Sequence, residues 1–74
     1  MSREEQNRVA YIVMCMFRFA ARHGMDVRDA VACLVDRGGI AHLDRHYDIE
    51  HTLPLEDTLD TLDAVCRRNG AVLA

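Results

Sequence analysis

Three histidines stand close together among acidic residues in the segment 42–51. His42 and His46 are four residues apart, so on a helix both imidazoles project from one face, as two ligands of one metal ion must. His51 or an aspartate would supply a third ligand. Leu43 occupies the position where the zinc-protease motif has its glutamate, so the segment is not that motif. We favour an exposed polar helix with a chance spacing and no cofactor, and keep a metal site at His42, His46 and His51 as the alternative.

The candidate nucleophiles are Cys15, Cys33 and Cys66, each of which would need a histidine as base. The apolar spacing places Cys66 on the buried stripe of the last helix. It places Cys15 and Cys33 on mid-helix surfaces, away from the helix N-termini that activate thiols. An odd number of cysteines without a CxxC motif or a signal peptide indicates a reduced, cytoplasmic chain. A chain of 74 residues offers little room for a substrate cleft, so we predict no enzymatic activity.

Arginine and tyrosine side chains recur at intervals of three and four residues along the first predicted helix, together with Cys15. This spacing puts them on one stripe, opposite the main apolar arc of that helix. Both residue types are enriched at protein interfaces. The stripe is suited to an acidic surface, either the last helix of a second copy or another protein, and an ordinary solvated helix face is the alternative. The predicted partner-binding residues are Arg8, Tyr11, Arg18 and Arg22.

The elements that must position these residues are helices. Ser2 and Glu5 have the spacing of a capping box, and His23 with Gly24 supplies a C-terminal stop, which together predict a long first helix. The apolar arc of this helix covers roughly 220°, more than the ~100° that one packing partner requires. We therefore expect neighbours on two sides. The main apolar positions are Val9, Ile12, Val13, Met16 and Ala20.

Three further helices follow in the sequence. Asp26 caps a second helix that ends at Gly38 and Gly39, a third runs to about Tyr47, and a last one begins around Pro54. No segment alternates with period two. We predict a single all-α domain over residues 1–74, a small bundle of about four helices. The last helix has an apolar stripe of Leu55, Leu59, Leu62, Val65 and Cys66, and it ends at Asn69 and Gly70.

Charge and hydropathy exclude two classes of partner. The net charge of -3 argues against nucleic-acid binding, which needs a clustered excess of basic residues. The apolar stretch 11–19 is far shorter than the roughly 20 residues that cross a bilayer. The chain has only 23 Val, Ile, Leu, Met and Phe side chains to offset its conformational entropy. Small domains with so few apolar side chains often bury a face against another subunit, so we expect a homodimer or a protein partner.

The segment 11–68 resembles a family of short bacterial proteins that is known only as a domain of unknown function. The resemblance lies in the order of the helices and in a motif before the last helix, in which a tyrosine and an acidic residue precede a histidine and a threonine. The matching positions are Tyr47, Asp48, His51 and Thr52. The chain departs from the family at Pro54 and in the segment 60–62, where the family often has an acidic pair before an aliphatic residue.

The resemblance implies a cytoplasmic, all-helical accessory protein. Some members are encoded beside proteins similar to ADP-ribosyltransferases, which suggests an antitoxin-like partner as one alternative function. The residues themselves favour a structural role for the motif, because Tyr47 and His51 are four apart and their rings can meet on one face. His51 would cap the last helix or the preceding turn. We predict a small cytoplasmic protein–protein interaction module, self-associating and without catalytic activity.

Overall fold

The computed structural model describes residues 1–73 and shows five α-helices in that range. They are α1 (Arg3–His23), α2 (Val27–Asp36), α3 (Gly39–Arg45), α4 (Tyr47–Glu50) and α5 (Leu55–Arg68). Residues 1–73 contain no strand, so the predicted small all-α bundle is confirmed. The predicted third helix is divided at His46, where the backbone turns (φ -110°, ψ 20°), and the single-turn α4 follows.

Local capping sets the ends of the first two helices as predicted. The Ser2 hydroxyl accepts a hydrogen bond from the Glu5 backbone N–H at 3.1 Å, which satisfies one of the free donors at the start of α1. Gly24 ends α1 in the left-handed conformation, with φ of 60°. Asp26 then caps α2 by accepting from the Arg28 N–H at 2.8 Å. Residues within three positions of the boundary therefore set both ends of α1 and the start of α2.

Two consecutive glycines let α3 cross closely over α2 and α5. Gly38 has φ of +85°, a conformation that side chains with a Cβ rarely adopt. At Gly39 an added Cβ would lie 2.6 Å from the Leu34 side chain and 3.3 Å from Cys66 Sγ. The missing side chain at Gly39 is thus what allows the three helices to meet at this point.

The core lies between the long helices and is closed by α3. On α5 the buried positions include Leu59, Leu62, Val65 and Cys66, so the predicted apolar stripe of the last helix is confirmed, with Leu55 half-buried at its start. The accessible surface is 4731 Å², near the ~4600 Å² expected for a folded monomer of this mass. The clustered core residues are Cys15, Phe19, Ala20, Ala30, Leu34, Leu43, Leu59, Leu62 and Cys66.

The face that α1 turns toward the core differs in part from the prediction. Cys15 and Phe19 are fully buried, whereas Val9 and Val13 of the predicted apolar arc are exposed. The expected neighbours on two sides are present, since α1 contacts α2, α3 and α5, and Ile12, Met16 and Ala20 of the predicted arc pack in or against the core. One edge of the apolar arc nevertheless stays exposed. The prediction that Cys15 lies on a helix surface was wrong, because its stripe of α1 faces the core. None of the described helices is both long enough and apolar enough to cross a bilayer.

Candidate interaction surface

One side of α1 presents a row of exposed apolar side chains, which we name the α1 ridge. It consists of Ala10, Val13, Met14, Phe17 and Ala21, all of them exposed. Intervals of three and four residues place these side chains on one helix face, and the row extends over about 16 Å. The three large side chains Val13, Met14 and Phe17 keep 40%, 42% and 55% of their surface exposed. Single exposed apolar residues are common, but a continuous row on one helix is typical of a protein interface.

The opposite face of α1 is joined to α5 by Arg22. Its Nη2 lies 2.6 Å from Glu56 Oε2, and its Nη1 lies 2.9 Å from Asp60 Oδ1 and 3.2 Å from Asp63 Oδ2. The hydrogen bonds to Glu56 and Asp60 raise the pKa of Arg22 above its ordinary value. The acidic partner surface predicted for the arginine stripe therefore exists within the chain itself.

Asp63 is a residue whose role the sequence did not reveal. Its spacing of four from Arg67 is that of an ion pair along one helix face. Instead its carboxylate is mostly buried and contacts Arg22 and the His23 Nε2, the latter at 2.7 Å. Both contacts span about 40 positions of the chain, so no local spacing could have indicated them.

Arg8 and Arg18 have different surroundings. Arg8 Nη1 lies 3.3 Å from Asp44 Oδ1, and its guanidinium stands 5.0 Å from the centre of the Tyr47 ring, a cation–π distance. Arg18 is exposed and has no ion pair within the described chain. Arg8 and Arg22 therefore do not form the ordinary solvated helix face that was the alternative for this stripe. Partner binding by these residues stays a prediction.

Tyr11 is the fourth predicted partner-binding residue, and it is also engaged within the fold. Its hydroxyl donates to Thr58 Oγ1 at 3.3 Å, and its ring meets Tyr47 edge-on at 5.5 Å between centroids. Burial raises the pKa of Tyr11 to about 12. Tyr11 thus links α1 to α4 and α5 as a neutral, hydrogen-bonded side chain.

Burial favours the protonated form of two of the thiols, Cys15 and Cys66. Burial raises the pKa of Cys66 to about 11 and also raises the pKa of Cys15. Cys66 is fully buried on the α5 stripe, as predicted, while Cys33 is half-buried. A nucleophilic cysteine needs a lowered pKa and an open approach, so the environments of Cys15 and Cys66 do not favour thiolate chemistry.

The motif residues build the turn between α4 and α5. The rings of Tyr47 and His51 are stacked at 4.4 Å with 10° between their planes, which confirms the predicted pairing. His51 Nδ1 donates to the Tyr47 carbonyl at 2.6 Å, so it caps the preceding turn rather than α5. Thr52 Oγ1 donates to the Ile49 carbonyl at 2.7 Å, and Asp48 is exposed. These contacts lie within the fold, and a structural role for the motif stays a prediction.

The three histidines of the metal hypothesis do not converge. His42 and His46 lie with ring centroids 4.6 Å apart, but His51 is stacked on Tyr47 instead. Within residues 1–73 no group of three or more His, Cys, Asp or Glu side chains is placed to hold a metal ion. The geometry therefore gives the metal alternative no support.

Glu50 is a further residue that the sequence did not single out. Its side chain is only 8% exposed, and Oε1 lies 3.3 Å from His42 Nε2. Its Oε2 is buried and has no hydrogen-bond partner in the described part of the chain. The contact with His42 crosses the turn between α3 and α4, and eight residues separate the two, a spacing that no single-helix pattern indicates.

These features define a small all-helical domain with one uncovered apolar helix face. The chain belongs to the family DUF3791, a protein family of unknown function, whose pattern matches residues 10–69. This match agrees with the resemblance to a domain of unknown function found over residues 11–68. No curated protein and no solved structure matches the chain.

Proposed function

We propose that this protein is a small protein–protein interaction module without catalytic activity, and that it forms a homodimer through the α1 ridge. One observation carries the proposal: the longest helix of the fold leaves a continuous apolar face uncovered although the rest of the chain is as compact as a monomer of its mass. Moving Val13, Met14 and Phe17 out of water is favourable, and a second chain is the means that we propose.

The spacing of the ridge suits a second copy of the same chain. If two α1 helices pack antiparallel about an axis between Val13 and Met14, residues equally far from that axis face each other, as in any two-fold interface. The Phe17 ring of one copy then lies opposite the small Ala10 of the other. Large and small side chains interdigitate in this arrangement, which is how well-packed interfaces fill space.

The positions of the arginines beside the ridge and the area of the α1 face also permit this pairing. Arg3 and Arg18 flank the ridge, and in the antiparallel arrangement they fall opposite Gly24 and Val9 rather than opposite each other. A standard interface buries ~800 Å² on each partner, about a sixth of the 4731 Å² of this chain. A helix of 21 residues is ~31 Å long and offers a face of that order together with its flanking side chains.

In this proposal the module works in the cytoplasm of a bacterium, where its three free cysteines stay reduced. The alternative occupant of the ridge is a different protein, such as a neighbouring ADP-ribosyltransferase-like protein to which this chain would act as an antitoxin-like partner. In that alternative the acidic α5 would cover a basic cleft. Arg22 already neutralises part of that surface, so the alternative too depends mainly on the ridge.

Molar mass in solution tests the proposal. Light scattering over a range of micromolar concentrations is expected to give twice 8.4 kDa for the natural chain and 8.4 kDa for Phe17→Asp. Ile49→Asp is the matched control, since Ile49 is 63% exposed but lies on α4, which packs near the opposite face of α1. This variant should remain a dimer.

Two outcomes would overturn the homodimer. One is a mass of 8.4 kDa for the natural chain at every concentration, and the other is an equal loss of mass in both variants. Co-expression with the product of the neighbouring gene separates the alternative. A complex with that protein that Phe17→Asp abolishes, formed by a chain that is monomeric alone, would replace the second copy with the different partner.

A further inference from the structure

A pocket of about 220 Å³ lies between α3 and the C-terminal end of α5. α1 contributes no residue to it, so it is separate from the α1 ridge. Its lining contains three side chains that can hold positive charge and no carboxylate. The lining residues are Gly38, Ala41, His42, Arg45, Val65, Arg68 and Asn69.

Two guanidinium groups at this pocket have no polar side-chain partner in residues 1–73. Arg45 and Arg68 are exposed and make no ion pair or hydrogen bond with any side chain in residues 1–73. Arg8 and Arg22, in contrast, are bound to carboxylates of their own chain. A guanidinium presents parallel N–H donors that match two oxygens of an oxyanion, and two such groups at one pocket favour an anionic ligand.

The imidazole at the pocket is held from behind by a buried carboxylate. His42 Nε2 lies 3.3 Å from Oε1 of Glu50, whose side chain is more than nine-tenths buried and does not reach the lining. An ionised carboxylate only accepts hydrogen bonds, so Nε2 is the donor when Glu50 is ionised, and Nδ1 has no hydrogen-bond partner in the described residues. Nδ1 can accept a hydrogen bond from the hydroxyl that a phosphate ion retains at neutral pH.

We propose that this pocket binds a phosphate group, with Arg45 and Arg68 supplying charge and His42 a positioned hydrogen-bonding nitrogen. The side chain of Asn69 is not part of this donor set, because its Nδ2 donates to the Arg37 carbonyl at 2.7 Å. The volume of the pocket exceeds that of one phosphate ion, so the group can belong to a small phosphorylated molecule or be free inorganic phosphate.

The test is an NMR titration of the full chain with inorganic phosphate, at an ionic strength held constant with sodium chloride. Saturable shifts are expected at His42, Arg45 and Arg68. The double variant Arg45→Gln, Arg68→Gln should weaken binding at least tenfold. Arg28→Gln is the matched control, because Arg28 is also exposed and unpaired but lies on α2, and it should leave the affinity unchanged.

The source of the phosphate is decided by two more ligands. Ribose 5-phosphate binding more tightly than inorganic phosphate, with ribose alone inactive, would identify a phosphorylated small molecule. Equal affinity would identify phosphate itself. Shifts that rise linearly without saturation, or an equal loss of affinity in the double variant and in Arg28→Gln, would overturn the site. Because both arginines are exposed, thermal unfolding should show the double variant folded.

Discussion

The two faces of α1 have opposite surroundings. The face that carries charge and hydroxyl groups is built into the fold, while the purely apolar ridge is in solvent. The inward face contains Arg8, Tyr11, Cys15 and Arg22, and the outward face contains Ala10, Val13, Met14, Phe17 and Ala21.

The difference shows that the burial of a helix face depends on the groups that other helices offer to it, and not on its apolar content alone. α5 supplies three carboxylates to Arg22 and a hydroxyl to Tyr11, so these polar groups are satisfied when they meet it. A polar group that keeps its hydrogen bonds can enter the fold at little cost. The ridge meets no comparable surface within residues 1–73, and we propose that a second chain provides one.

The largest loss of stability is expected at Phe19 on the inward face, and Phe17 on the outward face is its comparison. Phe19→Ala removes a fully buried ring and should lower the free energy of unfolding by about 3–5 kcal/mol. Phe17→Ala should change it by less than about 0.5 kcal/mol in the monomer, because Phe17 is more than half exposed. Urea unfolding measures both, and Phe19→Leu serves if Phe19→Ala does not fold.

The concentration dependence separates the faces further. In a dimer the unfolding midpoint rises with protein concentration, because association stabilises the folded state. In Phe17→Ala the unfolding midpoint should depend less on protein concentration. In Phe19→Leu the midpoint should be lower but should still rise with concentration. Equal losses of stability for Phe17→Ala and Phe19→Ala in dilute solution would contradict the assignment of the two faces.

A smaller loss is expected from Arg22→Gln. This change leaves the carboxylates of Glu56, Asp60 and Asp63 close together without their shared cation, so the melting temperature should fall. The fall in melting temperature should be smaller in 1 M salt, where a screening length of about 3 Å weakens interactions between exposed charges. Arg18→Gln is the control, since Arg18 has no ion pair in the described chain. An equal effect of both changes would rule out the α1–α5 arginine bridge.

The aromatic cluster beside the inward face should contribute less. His51→Ala removes the ring stacked on Tyr47 and should cost about 0.5–1.5 kcal/mol. His51→Phe keeps a stacked ring but loses the hydrogen bond to the Tyr47 carbonyl, so it should recover part of the loss. Chemical unfolding measures both variants. No change in His51→Ala would show that this turn does not depend on the motif.

The last effect is confined to alkaline pH and is absent near neutrality. The pKa of Tyr11 is raised from 10.0 to about 12 in the folded chain, so the folded state holds this proton more tightly than the unfolded state. The contribution is complete below pH 10 and declines as the pH rises from about 10 to about 12. In Tyr47→Phe, tyrosinate absorbance reports Tyr11 alone. Titration near pH 10 while the chain is folded would contradict its burial.

Elements set by neighbouring residues were predictable from the sequence. Ser2, Gly24 and Asp26 act within a few positions of themselves, and the helix ends follow their residue types. The stripe of α5 was predictable for a similar reason, because its apolar arc is narrow and only one face can be buried. The stacking of His51 on Tyr47 likewise follows from a spacing of four within one turn.

The orientation of α1 was not predictable from its own residues. Its apolar arc is wide, so several rotations bury a similar apolar area, and distant contacts select among them. Those contacts join Arg8 to Asp44 and Tyr11 to Thr58, which are 36 and 47 positions apart. The same holds for the approach of His42 to Glu50, which requires the break at His46 between α3 and α4.

The most direct test of the ridge as an interface between two copies is an isotope-filtered NOE experiment on a mixture of labelled and unlabelled chains. Ala10 and Phe17 are seven residues apart on one helix, about 10.5 Å, too far for a strong NOE within one chain. The antiparallel dimer predicts an intermolecular NOE between the Ala10 methyl group and the Phe17 ring. Intermolecular NOEs confined to other surfaces, or none at a concentration where the mass is that of a dimer, would contradict it.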